Sequence, residues 1–316
     1  MAQVDYPAIL DKAWQQHLAP RKPDAPTVIS TFAGCGGSSL GYSMAGYREL
    51  LAVEWNDNAV GTFKLNFPDV PIYHGDIHKL SVEQCLEMVG LQSGELDLLD
   101  GSPPCQGFST AGKRQIDDKR NQLYMQFVRL LRGLRPRVFV MENVNGLVKG
   151  KMKLIFADIM RELKASDYQV RCKLLNAMYF HVPQSRQRLI WIGVRDDLKA
   201  RPSFPRAESR AIGLRRAIGL RRGWGKLEGI KNKQFNNNWR SLDLPCVTLE
   251  KTRPPILLID EIERELTLEE SAIIGSYPEN FKWGERKAYQ SIGNSVPPLF
   301  MRAIARHIRR EILEAS

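Results

Sequence analysis

The sequence predicts an α/β protein built on a mostly parallel, doubly wound sheet. Short apolar runs alternate with stretches of helical periodicity, the order that generates βαβ units. Those runs end in glycines or acids, which is where such sheets bind ligands, beyond the carboxyl ends of their strands. The chain is 43% apolar and 26% charged, the balance of a globular protein with a sizeable core.

The elements follow in order. Residues 1–26 read as a short amphipathic helix and a Pro-containing lead-in. "TVISTFAG" (27–34) is a strand that runs into a Gly loop, and "SLGYSMAGY" continues as helix. "LLAVEW" (50–55) is a strand and "NDNAVGTFKLNF" a helix. A strand near "PIYHGDI" (71–77) precedes a helix in "SVEQCLEMVG". "LDLLDGS" (96–102) is an apolar strand, "RNQLYMQFVRLLRGL" (120–134) a helix, and "RVFVMEN" (137–143) a strand. "KMKLIFADIMRELKAS" is helical, and "QVRCKLLNA" and "RLIWIGVR" (188–195) are strands. The alternation then stops. Residues 196–245 are rich in Arg, Gly and Asn and include the tandem hexapeptide "AIGLRRAIGLRR" (211–222). Helical patterning returns after about residue 264. The predicted division is a lead-in (1–26), an α/β domain (27–195), a small basic insert (196–263) and C-terminal helices that rejoin the first domain (264–316).

Charge narrows the function. The net charge is +11, and residues 196–245 alone carry +7 of it. A local basic block suits phosphate contact, although a solvated linker would look the same. No run of apolar residues is long enough for a membrane span. The N-terminal stretch lacks a basic-then-apolar signal pattern, which predicts no export. Five cysteines (35, 85, 105, 172 and 246) are widely spread with no paired spacing. That predicts reduced thiols in a cytoplasmic setting, no disulfide framework and no metal site.

Five candidate groups, the Gly loop, Glu54, Asp76, Cys105 and Glu142, fall at strand ends on one rim. "FAGCGGSSLG" (32–41) is a Gly loop after a strand, which lets a ligand approach the backbone. A dinucleotide fingerprint wants Gly or Ala where Ser39 stands, so a nicotinamide oxidoreductase is disfavoured. Glu54 ends the second strand 20 residues after Gly34, a spacing that suits ribose hydroxyls, and Trp55 can stack on a purine. Asp76 can accept from an adenine amino group. "GSPPCQGFS" puts Cys105 on a rigid Pro-Pro pedestal before a Gly-rich basic loop. Glu142 ends an apolar strand, a setting in which a carboxyl can share or donate a proton. In "QSRQRLIWIG", Arg186 and Arg188 lie two apart on an extended segment and project to one face. "QSIGNSVPP" offers Asn294 and Ser295 to a ligand carboxylate.

Together "FAGCGGSSLG", "GSPPCQGFS", "MENV", "QSRQR" and "GNSV" resemble, in order and approximate spacing, the motifs of the DNA (cytosine-5) methyltransferases. The resemblance covers about residues 27–195 and 264–310. It implies a Rossmann-like S-adenosylmethionine-dependent methyltransferase domain, with the basic stretch in the place of a target recognition domain. It implies that Cys105 is a nucleophile toward carbon 6 of cytosine and that Glu142 engages ring nitrogen 3. Arg186 and Arg188 would orient the flipped base and its surroundings. The S-adenosylmethionine pocket would be Phe32, Gly34, Gly36, Gly37, Glu54, Trp55, Asp76, Ile77 and Pro104, closed by Asn294 and Ser295. Candidate DNA contacts are Ser109, Lys113 and Arg114 in the loop after Cys105, and Arg215, Arg216, Arg221 and Arg222 in the repeat. A chance duplication in a solvated loop would also explain the repeat. "LPCVTLEKTRPP" (244–255) matches the family's ninth motif only loosely. The expected partner is double-stranded DNA, met by a cytoplasmic monomer that is nucleoid-associated if prokaryotic. The same chemistry on RNA and a non-catalytic DNA-binding protein on this scaffold are the alternatives.

Overall fold

The computed structural model describes residues 5–104, 123–220, 228–232, 236–284 and 287–315. Its centre is a seven-stranded sheet. The chain runs through α1 (Tyr6–Leu18), β1 (Thr27–Thr31), α2 (Gly37–Met44), β2 (Arg48–Glu54), α3 (Asp57–Asn66), β3 (Ile72–His74), α4 (Val82–Val89) and β4 (Leu98–Gly101). It continues through α5 (Leu123–Leu134), β5 (Val138–Val144), α6 (Met152–Lys164), β6 (Tyr168–Asn176) and β7 (Gln187–Arg195). Helix starts follow side-chain capping: Asn56 accepts from Ala59 N–H and Ser81 from Gln84 N–H.

The strand order is β3-β2-β1-β4-β5-β7-β6. The pairs from β3 to β5 are parallel, and β7 runs antiparallel to both β5 and β6. The ten residues between β6 and β7 are too few for a crossover helix, so the two close as an antiparallel pair. The order reverses between β1 and β4. That switch point opens a crevice at the carboxyl ends of both strands.

β1 and β4 are buried along their whole length, as strands covered on both faces must be. One face packs against α1 and α2, the other against α4, α5 and α6. The C-terminal segment supplies α8 (Leu268–Ile274), α9 (Ala288–Asn294) and α10 (Pro298–Ile308), introduced after the insert's α7 (Leu214–Ala217). α10 lies against α2 so closely that a Cβ on Gly41 would fall 2.6 Å from Met301 Cβ and 2.7 Å from the Pro298 carbonyl. Tyr47 Oη donates to the Ala305 carbonyl and Tyr6 Oη to the Ile273 carbonyl. These bonds anchor the chain's last helices to its first ones.

The insert carries regular structure: β8 (Gly229–Asn232), β9 (Asn236–Arg240), β10 (Ile256–Ile259) and β11 (Ile262–Glu265), which runs just past residue 263, form one sheet of order β11-β10-β8-β9. The β10–β11 turn is Asp260-Glu261, both at positive φ, the two-residue geometry that matches strand twist. Glu is a poor turn signal, which is why the sequence hides this hairpin. The first copy of the hexapeptide is not a solvated loop: Ile212 and Leu214, with Ala217 that opens the second copy, are buried in the core shared with α10.

Candidate active site

The Gly loop leaves β1 through Phe32 at φ +55, an uncommon conformation for a residue with a side chain. Glu54, at the end of neighbouring β2, then organises the loop. Its Oε2 accepts from Gly34 N–H at 2.8 Å, and its Oε1 accepts from Trp55 and Asn56 N–H, both at 2.9 Å. The carboxylate is thus a three-donor hub, which the spacing alone did not reveal. Above Gly34, a Cβ would meet nothing within 4 Å among the described residues. Trp55 is 75% exposed beside it, a large aromatic face with no packing partner to explain it. Gly36 (φ +92) starts α2, and a Cβ there would strike Phe67 at 2.6 Å. Gly37 packs under the C-terminal segment, where a Cβ would lie 2.5 Å from the Val296 carbonyl.

Asp76, beyond β3, is exposed and accepts from His78, through both the backbone N–H and Nδ1. Those bonds hold its pKa below the usual carboxylate range. Ile77 is buried next to it. Gly34, Glu54, Trp55 and Asp76 therefore line the ends of three adjacent strands.

The pedestal leaves β4 on the other side of the switch point. β4 pairs with β5 in the register Gly101 to Met141, which sets residues 102–104 alongside Glu142 and Asn143. Pro103 is buried and Pro104 half-buried. Asn143 Nδ2 donates to the Pro103 carbonyl at 3.0 Å. This anchor was missed in the sequence, although an Asn inside an apolar strand was its signal. Cys105, Ser109, Lys113 and Arg114 lie outside the described residues, as do Arg221 and Arg222.

Glu142 is 8% exposed, and its Oε1 stands 2.6 Å from Arg188 Nε. β5 and β7 pair in the register Val144 to Arg188, which brings the two side chains together. Burial lowers the Arg188 pKa and the Glu142 carboxylate opposes that shift.

Arg186 lies deeper than Arg188. It is 2% exposed, and its two terminal nitrogens donate to the carbonyls of Leu249 (3.0 Å) and Gly293 (2.8 Å). Those bonds make it a clamp between three segments. Around it, Gln184 Oε1 accepts from Leu249 N–H, and Thr248 Oγ1 donates to the Ser185 carbonyl. The loosely matching 244–255 segment is thus strapped to the catalytic sheet by buried bonds. A Cβ on Gly293 would sit 2.4 Å from the Glu250 carbonyl carbon, so only glycine allows this approach.

Asn294 is exposed at the end of α9. Ser295 faces the Gly loop: its Oγ is 3.1 Å from Cys35 Sγ, and Tyr277 Oη is 3.4 Å from the same sulfur. The "GNSV" turn therefore closes on the loop through Cys35, a contact not anticipated from the sequence. Burial raises the Cys35 pKa, which leaves it an inert thiol.

Of the repeat arginines, Arg216 is exposed. Arg215 pairs with Glu228 and, at 3.2 Å, with Asp243 inside the insert.

A Gly-loop rim on one side of the switch point and a proline pedestal on the other, with antiparallel β7 beside β5 in a mainly parallel sheet, fit a Rossmann-like methyltransferase fold. Residues 26–217 and 213–310 match the family model for C-5 cytosine-specific DNA methylase. The chain belongs to that family and is a DNA cytosine-5 methyltransferase. It is 32% identical to the Type II methyltransferase M1.HphI of Haemophilus parahaemolyticus over 319 residues, covering 88% of this chain and 85% of that protein. It is 28% identical to M.XorII of Xanthomonas oryzae pv. oryzae, covering 91% and 85%. Among solved structures, Entamoeba histolytica methyltransferase EhMeth superposes with a TM-score of 0.69 at 18% identity, over 93% of this chain and 99% of that one. At that identity the likeness is one of fold. Among the described residues, no helix is long and apolar enough to cross a membrane.

Proposed function

We propose that the protein methylates carbon 5 of cytosine in duplex DNA from S-adenosylmethionine, through a covalent Cys105 adduct at carbon 6 of a flipped-out base. One observation carries the reading. The open Gly loop and the Glu142–Arg188 pair stand on either side of a single switch point, with the anchored pedestal between them.

S-adenosylmethionine supplies an electrophilic methyl group. The rim fits it: Glu54 orients the loop, Trp55 offers a stacking face, and Asp76 is an exposed acceptor. Asn294 and Ser295 stand where the loop meets α9, within reach of a carboxylate.

Carbon 5 of cytosine is a poor nucleophile until a thiolate adds at carbon 6. The Cys105 sulfur forms that bond, and the ring electrons move toward nitrogen 3, where Glu142 provides a proton. Arg188 holds the Glu142 carboxyl in place for this exchange. Carbon 5 then takes up the methyl group as the methyl–sulfur bond breaks and S-adenosylhomocysteine leaves; solvent takes the carbon-5 proton, nitrogen 3 returns its proton to Glu142, and expulsion of the Cys105 thiolate restores the ring. The target atom cannot be reached inside a duplex, so the base must leave the stack. The insert, with its four-stranded sheet, serves as the recognition domain for a short site of about two to five base pairs. The protein acts as a soluble monomer in the cytoplasm.

Bisulfite sequencing of DNA from cells expressing the protein tests the reading. Protection of cytosine within one short sequence is expected. Methyl transfer to tRNA with no protection of duplex DNA would overturn it.

A further inference from the structure

Between the cofactor loop and the pedestal the protein buries an acid that the mechanism leaves without a task. Asp100, the third residue of β4, is 2% exposed. Tyr42 of α2, fully buried, donates its hydroxyl to Asp100 Oδ1 at 3.0 Å. Ser38, in the first turn of α2, faces the same carboxyl. Thr31 Oγ1, at the end of β1, donates to the Asp100 carbonyl at 2.9 Å. Ser38 directly follows the Gly loop, and Asp100 precedes Cys105 by five residues. One side chain thus ties the helix that carries the cofactor loop to the strand that carries the nucleophile.

The charged groups facing Asp100 are acids. Glu49 approaches from β2 and Glu142 from β5, with Tyr42 from α2. Glu142 has Arg188 as its counter-ion. Among the described residues, no basic side chain is hydrogen-bonded to Asp100. A carboxylate in such a place is costly, so the neutral acid is favoured. Burial, reinforced by Glu49 and Glu142 and opposed by the Tyr42 hydroxyl, pushes the Asp100 carboxyl up to about 8. Burial likewise pushes Glu49 up to about 7.

We propose that the neutral Asp100 carboxyl is a positioning residue for methyl transfer. It holds the cofactor loop and the Cys105 loop in register, and loss of its proton stops transfer without unfolding the chain. The inference rests on the reading above, in which the Gly loop holds the cofactor and Cys105 attacks the base. An ionised Asp100 would set a negative charge beside the Glu142–Arg188 pair that must engage the ring, and would redirect the Tyr42 hydroxyl.

The test is the single-turnover rate of methyl transfer to duplex DNA from neutral to alkaline pH, with circular dichroism at each pH to follow the fold. The wild-type rate falls about tenfold per pH unit above about 8 while the fold persists. Asp100→Asn keeps the shape and cannot ionise, so it transfers at close to the wild-type neutral rate and lacks this fall. Tyr42→Phe removes a donor that favours the carboxylate, so its fall begins at higher pH. An Asn variant that folds but is inactive overturns the proposal, and so does one that keeps the wild-type alkaline fall. A Tyr42→Phe fall that begins at or below the wild-type pH also overturns it, and decides the matter if Asp100→Asn does not fold. Covalent capture of 5-fluorocytosine DNA by the wild-type protein at neutral pH separates the two claims. Absence of capture sinks the mechanism itself, whereas capture with an unmoved alkaline limb sinks only the role of Asp100.

Discussion

Replacing Glu54 by Gln should weaken cofactor binding far more than DNA binding. The carboxylate accepts three backbone N–H groups, from Gly34 on one oxygen and from Trp55 and Asn56 on the other. Gln has one acceptor oxygen. Whichever way the amide turns, its NH2 faces at least one of those N–H groups, donor against donor. A hydrogen bond to a charged group contributes about 1.5–3 kcal/mol, and an orphaned donor costs a similar amount. If the loop must be restored before the cofactor binds, losing one such bond lowers affinity by about 10- to 150-fold. Titration calorimetry with S-adenosylmethionine reads that loss directly, and fluorescence anisotropy with a DNA duplex provides the control. A folded variant whose cofactor affinity stays within about twofold of wild type would refute the claim that Glu54 shapes the pocket.

Three further outcomes are expected. Asn143→Ala releases the Pro103 carbonyl and should slow single-turnover transfer by about 10- to 100-fold through misplacement of the pedestal, with cofactor affinity unchanged; a wild-type rate would show that Asn143 does not set the loop. Arg216→Gln should reduce the slope of log affinity against log salt by about 0.9, while Arg215→Gln should lower thermal stability and leave the slope alone, because Glu228 and Asp243 already neutralise that charge; the reverse pattern would contradict the assignment. Stability should fall as pH rises from the ordinary carboxylate range toward about 8, because the folded chain keeps protons on Glu49 and Asp100 that the unfolded chain has released; urea titrations at several pH values would show this fall reduced in Asp100→Asn, and an unchanged slope would argue against a protonated Asp100.

Much of this was legible because the signals are local. Apolar strands ending in Gly34, Glu54, Asp76, Pro104 and Glu142 fix both the layer order and the rim, since each lies at a strand end by position alone. What was hidden depends on pairing across distance. Arg186 and Arg188 look equivalent in "QSRQR", yet Arg188 meets Glu142 while Arg186 is captured by carbonyls 63 and 107 residues away. Glu54 was expected from its spacing, but its three backbone donors come from a loop conformation that no residue type announces. The insert's sheet was hard to read because its strands are only four or five residues long. Leu214 is buried although Arg215 and Arg216 follow it directly. Asp100 was passed over because an acid just before a Gly turn is ordinary in sequence, and only its burial beside Tyr42 sets it apart.

The most direct measurement of the central claim is the mapping of a trapped intermediate. Duplex DNA carrying 5-fluorocytosine at the target should form a stable adduct with the protein and S-adenosylmethionine, because fluorine cannot leave as a proton and elimination stalls. Peptide mass spectrometry should place the base on Cys105, and Cys105→Ala should abolish both the adduct and turnover. A base attached instead to Cys35 or Cys172, or turnover that survives in Cys105→Ala, would contradict the account.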